Sequence, residues 1–152
     1  MVEGISNRFI ESVLKPTCEN FRGVFSADTI PTELLNSNNF SIVCNMSGVN
    51  ERGSHFVTIL VKPDQVFYID SLGLPPIIPE MYNFLQRLRK PMVFNSKQVQ
   101  DFSSKFCGFF CILFVLNFNF PSTPLSFQSN DLMLNDVVCV EKIQEILNKF
   151  VY

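Results

Sequence analysis

Apolar residues recur at three- and four-residue intervals near both ends of the chain and once in its middle. The three stretches run from Ile5 to Leu14, from Pro79 to Lys90 and from about Asn135 to Phe150. This spacing is typical of helices with one buried face, and a proline follows each of the first two stretches. In the last helix we expect the apolar residues to face inward: Val137, Val140, Ile143, Ile146, Leu147 and Phe150.

A different pattern follows Cys107, where the residues from Phe109 to Leu116 are apolar without interruption. This run is far shorter than the roughly 20 apolar residues that span a membrane. It predicts a helix that begins at Cys107, lies buried in the core and fades between Asn117 and Pro121.

Shorter apolar stretches bounded by turn residues predict strands. One strand is predicted by "FSIVCNMS", Phe40 to Met46, and the polar turn "GVNERGS" follows it. The stretches "HFVTILVK" and "VFYID" are joined by the turn signal "KPDQ", so His55 to Asp70 is predicted to be a β-hairpin. A short further strand is predicted by "MVFN", and a loop with one or two extended pieces by "CENFRGVFSADTIP".

Together these elements predict a single domain, residues 1–152, of the α+β class. We expect a small, mainly antiparallel sheet that packs against a buried central helix. That helix would carry Cys107, and the N-terminal and C-terminal helices would flank it.

Composition and charge exclude several classes of function. The chain has 152 residues and a formal net charge of −2. Strong DNA binding is therefore not expected, because binding nucleic acid by charge needs a basic surface. The five cysteines are odd in number and irregularly spaced, unlike a disulfide framework. The segment after Met1 has no apolar signal core, so we expect an intracellular, reducing compartment and no membrane partner.

Cys107 is the candidate nucleophile. A thiol becomes reactive when its pKa is lowered and a base lies beside it. The first turn of a helix carries partial positive charge, and Gly108 allows the backbone or a substrate to approach closely. The base must be His55, since it is the single histidine. The predicted hairpin brings Asp70 to His55, where the carboxylate would hold one ring nitrogen and leave the other for the thiol.

A glutamine upstream of Cys107 is a candidate for stabilising the oxyanion that forms when a thiolate attacks a carbonyl. Gln100 lies seven residues before Cys107, and its side-chain amide could join the Cys107 backbone N–H as a donor. Gln98 is the competing candidate. The loop, the thiol and the helix start therefore indicate one acyl-transfer site.

The remaining cysteines are expected to be small buried side chains. Cys111 lies one helical turn after Cys107, but a single histidine and the lack of a Cys-x-x-Cys pair argue against zinc. The same interpretation applies to Cys18, Cys44 and Cys139. No cofactor or metal is expected.

The order His55, Asp70, Gln100 and Cys107, with Cys-Gly opening an apolar helix, resembles the adenain-like cysteine peptidases, the family of the adenovirus maturation protease. The likeness covers most of the chain. The interval from Gln100 to Cys107 matches the adenain spacing, whereas the related SUMO-deconjugating Ulp-type proteases have one residue fewer. Adenain has Glu at the position of Asp70 and commonly Trp at the position of Phe56.

This resemblance implies the circularly permuted papain-like fold of adenain. It implies His55 as base, Asp70 as its orienting acid, Gln100 as oxyanion donor and Cys107 as nucleophile. It also implies a viral endopeptidase that cleaves structural precursor proteins during virion maturation, often after Gly-Gly. Partners would be those protein substrates and a peptide activator, although no cysteine lies near Arg89, where adenain bonds its activating peptide. The protein would act in the nucleus or cytoplasmic virus factory of an infected cell and in the virion.

The sequence leaves two other functions open. One is an isopeptidase for ubiquitin-like modifiers, because the tails of such modifiers also end in Gly-Gly. The other is a non-catalytic binding module on the same fold. Retention of all four site residues argues against the second, because a decayed site usually loses its cysteine or histidine first.

Overall fold

The computed structural model describes residues 5–46, 55–121 and 125–149. The predicted helices and strands are confirmed to within a few residues at their ends, while the predicted polar turn "GVNERGS" lies outside the described residues. The described elements are α1 (Asn7–Leu14), β1 (Phe21–Ser26), a 3₁₀ turn (Thr32–Asn36), β2 (Phe40–Asn45), β3 (Phe56–Val61), β4 (Val66–Ile69), α2 (Pro79–Arg87), β5 (Met92–Phe94), α3 (Cys107–Asn119) and α4 (Met133–Asn148).

The described strands form one mixed sheet in the order β1-β2-β3-β4-β5. Neighbours among the three central strands are antiparallel, with Ser41 opposite Leu60 and Thr58 opposite Ile69. The edge strands β1 and β5 run parallel to β2 and β4. They do so because long connections precede β2 and β5, and such crossovers return the chain in the same direction. The α+β class is confirmed, and the antiparallel pairing holds for the central strands.

Helices cover both faces of the sheet. On one face α2 packs with Met81 and Phe84 against side chains of β3 that include Val57 and Ile59. On the other face α1, α3 and α4 share a core with Leu60 of the same strand. All residues of β2 and β3 are buried, which explains why these strands have nearly continuous apolar sequences instead of alternating ones.

The start of α3 lies directly against α1. The Ser6 side chain caps α1 by accepting a hydrogen bond from the Phe9 backbone N–H at 3.2 Å. A Cβ atom added to Gly108 would lie 2.6 Å from Cγ1 of Ile5, and Cδ1 of Ile10 is also nearby. Gly108 therefore permits a close approach of the N-terminal segment of the chain.

The inward face of α4 differs from the prediction at Val137, which is 55% exposed. The buried stripe instead consists of Asn135, Asp136, Cys139, Ile143 and Ile146. Val140 and Leu147 are partly buried, and Phe150 lies outside the described residues. The helix is rotated because hydrogen bonds draw its two polar residues, Asn135 and Asp136, toward neighbouring loops. Apolar periodicity alone does not reveal such bonds.

The contact at Gly108 gives a test of the packing. Gly108→Ala should lower the free energy of unfolding by about 1–3 kcal/mol, because overpacking forces α1 to move. Urea denaturation measures this change. In the matched control, Ile5→Ala combined with Gly108→Ala should lose less stability than the sum of the two single variants. Additive losses would contradict the contact.

Candidate active site

The β3–β4 hairpin brings His55 and Asp70 together. His55 directly precedes β3 and Asp70 directly follows β4, so antiparallel pairing places both at one edge of the sheet. His55 Nε2 and Asp70 Oδ1 lie 2.7 Å apart. The Asp70 side chain is 2% exposed and that of His55 is 16% exposed. A buried carboxylate therefore fixes one ring nitrogen, which leaves Nδ1 for another partner.

Asn95 holds the backbone of Asp70 in place. Its Oδ1 accepts a hydrogen bond from the Asp70 N–H at 2.9 Å, and its Nδ2 donates to the Asp70 carbonyl at 2.7 Å. The Asp70 carboxylate also accepts from the Leu72 N–H at 2.8 Å. Sequence reasoning missed Asn95. Because β4 and β5 are parallel, the residues that follow them, Asp70 and Asn95, meet at the same edge of the sheet. A prediction of this parallel pairing would have identified Asn95 as a neighbour of Asp70.

Cys107 is the first residue of α3 and is partly buried. Burial acts to raise the pKa of its thiol. This effect is outweighed by hydrogen bonds from the His55 side chain and the Phe56 and Gly108 backbone and by the charge of His55, so the pKa is lowered.

The pKa of His55 moves in the opposite direction. Burial acts to lower it, but hydrogen bonds to Asp70 and Cys107, together with the charges of both partners, raise it to about 9. The two groups titrate as a coupled pair, since the contact between them lowers the pKa of the thiol and raises that of the imidazole. Three of the four predicted site residues are therefore brought into one hydrogen-bonded chain, Asp70–His55–Cys107.

The other four cysteines differ from Cys107 in environment. Cys18, Cys44, Cys111 and Cys139 are each at most 2% exposed, which confirms the prediction that they are buried. Burial raises the pKa of each, to about 12 for Cys44. All five cysteines lie in the described part of the chain, and Cys107 alone among them has a lowered pKa.

Gln100 is 2% exposed and its side chain is bonded at both ends. Its Nε2 donates to the Ser104 carbonyl at 3.0 Å, and its Oε1 accepts from the Ser71 hydroxyl. Because a carbonyl can only accept, these contacts fix which end of the amide faces Ser104. The Gln100 side chain thus bonds to the segment that leads into Cys107. Nε2 has a second N–H, and its role as an oxyanion donor stays a prediction. Gln98 Nε2 donates to the Gln100 carbonyl at 2.8 Å.

A tight turn after Asp70 joins the two halves of the site. The Ser71 carbonyl accepts hydrogen bonds from the N–H groups of Val99 and Gln100, at 2.9 and 3.0 Å. Gly73 has a φ of +75°, and a Cβ atom there would lie 2.8 Å from the backbone nitrogen of Gln98. Only glycine fits this turn without strain. The acid that orients His55 and the buried amide of Gln100 therefore sit on two segments bonded directly to each other.

Two further findings bear on the type of site. In residues 5–46, 55–121 and 125–149, no three side chains of His, Cys, Asp or Glu are grouped so that they could hold a metal ion. No helix among those residues has both the length and the apolar character to cross a membrane.

Neither a family model nor a curated protein matches this sequence. The fold, however, is similar to solved structures. The crystal structure of the ASFV pS273R protease superimposes with a TM-score of 0.56 at 13% identity, covering 93% of this chain and 65% of that protein. AvrA, solved with IP6 and CoA, superimposes with a TM-score of 0.50 at 15% identity, covering 93% of this chain and 68% of that one. The chain spans about two thirds of the length of each and shares their fold. The closer resemblance to adenain stays a prediction.

The coupled pair predicts how Cys107 reacts with iodoacetamide. Labelling requires the thiolate, so its rate should reach half of its maximum at a pH below 9, the ordinary value for this thiol. In His55→Ala the midpoint should move to higher pH, because burial then acts without the hydrogen bond and charge that offset it. Mass spectrometry of timed reactions measures both profiles.

Cys107→Ser serves as the control and should lose the fast label while the four buried cysteines stay unlabelled in the folded protein. A profile that does not change between the native protein and His55→Ala would show that His55 does not activate the thiol.

Proposed function

We propose that this protein is a cysteine peptidase that hydrolyses peptide bonds through an acyl-enzyme on Cys107. One observation carries the proposal: Cys107 has a lowered pKa at the start of a helix, beside a histidine whose pKa is raised to about 9 and whose other nitrogen is held by Asp70. A thiolate poised next to an imidazolium is the arrangement that nucleophilic catalysis by cysteine requires.

In the first half of the reaction, the Cys107 thiolate attacks the carbonyl carbon of the scissile bond, and the carbonyl oxygen takes the negative charge. The imidazolium of His55 then donates its proton to the leaving amine, the C–N bond breaks, and a thioester remains on Cys107. Asp70 keeps the ring oriented and stabilises its charged form through the bond to Nε2. In the second half His55, now neutral, takes a proton from water, and the resulting attack releases the acid and restores the thiolate.

The oxyanion of each half-reaction is stabilised by the Cys107 backbone N–H and the Gln100 side chain. The first N–H groups of an α-helix lack intrahelical acceptors, so that of Cys107 is available to a substrate oxygen. Gln100 contributes its second Nε2 proton, since the other is donated to Ser104. Burial of Gln100 limits the water that would compete for this position.

The proposed substrates are viral structural precursor proteins, cleaved during virion maturation at small residues such as Gly-Gly. Support comes from the adenain-like order of the site residues and from the fold shared with a viral protease. Under this proposal the protein acts inside an infected cell and in the virion. A peptide activator is a further proposed partner, and the net charge of −2 does not favour DNA in that role.

Cleavage of defined peptides tests the proposal. The native protein should cleave quenched fluorescent peptides that contain Gly-Gly, and Cys107→Ala and His55→Ala should abolish turnover. Asp70→Asn should leave weak activity, because the backbone bonds to Asn95 still hold the residue in place while the charge that stabilises imidazolium is lost. Cys44→Ala, which changes a buried cysteine on the opposite face of the sheet, is the matched control and should retain full activity.

Each outcome discriminates between the functions considered. Faster cleavage when the Gly-Gly carboxyl is joined to a lysine Nζ would favour the isopeptidase. Full activity of His55→Ala would refute the catalytic assignment, since no other imidazole is present. Absence of turnover together with slow labelling of Cys107 would indicate a binding module.

Gln100→Ala tests the oxyanion assignment. Loss of one donor to the oxyanion should cost about 2.7–4 kcal/mol of transition-state stabilisation. The loss should appear in kcat with little change in KM, because the charge exists only in the transition state. Gln98→Ala is the control, and steady-state kinetics compare the two variants. A larger loss in Gln98→Ala than in Gln100→Ala would reverse the assignment.

A further inference from the structure

Ser104 is bonded to the Gln100 side chain and to the residue just before Cys107. Its carbonyl accepts the Gln100 side-chain N–H at 3.0 Å. Its hydroxyl oxygen lies 3.1 Å from the backbone N–H of Phe106, the residue just before Cys107, and 2.8 Å from Oδ2 of Asp136. Because an N–H can only donate, the hydroxyl accepts from Phe106 and its single proton is directed to Asp136. The orientation of Ser104 is thereby set from α4.

Asp136 occupies an energetically costly position. It is 7% exposed, and within the described residues its Oδ1 is buried without a hydrogen-bond partner. A buried carboxylate with a vacant acceptor destabilises the folded protein compared with a small apolar side chain. The hydrogen bond that it does make is the one to Ser104, and a bond to a charged acceptor is stronger and shorter than a neutral one.

A locally bonded turn lies just before Ser104. Residues 101–103 form a turn in which the Asp101 carboxylate accepts from the N–H and hydroxyl of Ser103. Phe102 in this turn is 69% exposed. The neighbour of Asp136 on α4, Asn135, donates to the Val99 carbonyl at 2.8 Å. The first turn of α4 thus forms hydrogen bonds with residues on both sides of Gln100, namely Val99 and Ser104.

We propose that Asp136, acting through Ser104, is a positioning residue that sets the Gln100 amide and the start of α3 in the geometry the oxyanion site requires. The inference rests on the proposed function, and it assigns to α4 a role in catalysis beyond packing. When the bond from Asp136 is lost, the Ser104 hydroxyl no longer has a fixed direction, and Gln100 and the residue before Cys107 lose their common anchor.

Kinetics of three variants test the proposal. Asp136→Ala and Ser104→Ala should lower kcat by about 10²-fold, the effect of a small misplacement of catalytic groups, with KM unchanged. Asp136→Asn should recover much of this loss, because its amide oxygen still accepts from Ser104. Glu141→Ala changes an exposed acid on the same helix and should behave like the native protein.

A second readout separates positioning from general stability. The melting temperature of Asp136→Ala should fall little, because the loss of the bond to Ser104 is offset by the removal of a costly buried carboxylate. The pH midpoint of Cys107 labelling should shift less than in His55→Ala, since the bonds among Asp70, His55 and Cys107 are untouched. A native kcat in Asp136→Ala, or a loss of kcat matched by a lower melting temperature that Asp136→Asn does not rescue, would overturn the inference.

The inference can fail separately from the proposed function. NMR spectra of the native protein labelled with ¹⁵N should show the side-chain amide of Gln100 as two sharp signals that exchange slowly with water. In Asp136→Ala these signals should broaden or exchange faster. If they stay as in the native protein, Asp136 does not position Gln100, whether or not the protein cleaves peptides. If the native protein cleaves nothing while the signals change as expected, only the proposed function fails.

Discussion

The antiparallel register of β3 and β4 is the constraint on which the candidate active site depends. With Thr58 opposite Ile69, the residue before one strand and the residue after the other end at the same edge, and His55 meets Asp70 at 2.7 Å. Side chains alternate between the two sides of a strand, so a slip of one residue would turn one member of the pair away from the other. The buried apolar residues of both strands resist such a slip, which means that core packing and site geometry are secured by the same pairing.

Around this pair, polar groups are buried and form hydrogen bonds with residues next to them in space. Asn95 pairs with the backbone of Asp70, Ser71 accepts from the N–H of Gln100, and Gly73 allows the two segments to touch. Buried polar networks are stabilising and rigid when every member is bonded. The buried Oδ1 of Asp136 is an exception within the described residues. The same carboxylate accepts a hydrogen bond from Ser104, in the loop beside the candidate active site. This bond offers a reason why a carboxylate is buried there despite the energetic cost.

The apolar helix α3 explains how one cysteine among five acquires a reactive environment. The helix packs against the sheet, α1 and α4, and this packing fixes the direction of the helix and the position of its first residue, Cys107. At the helix start the Gly108 backbone bonds to the Cys107 thiol, and the hairpin supplies His55 and the Phe56 backbone. Cys111, one turn further into the same helix, is fully buried, and desolvation is the largest cause of its raised pKa. Two thiols on one helix therefore differ because of the groups around them.

The sequence by itself determined the secondary structure and predicted two site contacts, His55 with Asp70 and His55 with Cys107. Apolar spacing located the helices, the turn signal "KPDQ" located the hairpin, and a single histidine left one choice of base for Cys107. These features follow from local chemistry, in which spacing and residue type suffice. Only the tertiary structure decided the parallel edges of the sheet, the role of Asn95 beside Asp70, and the inward rotation of Asp136 in place of Val137. Each of these depends on hydrogen bonds between segments that are distant in the chain, and neither composition nor periodicity records which distant polar groups will meet.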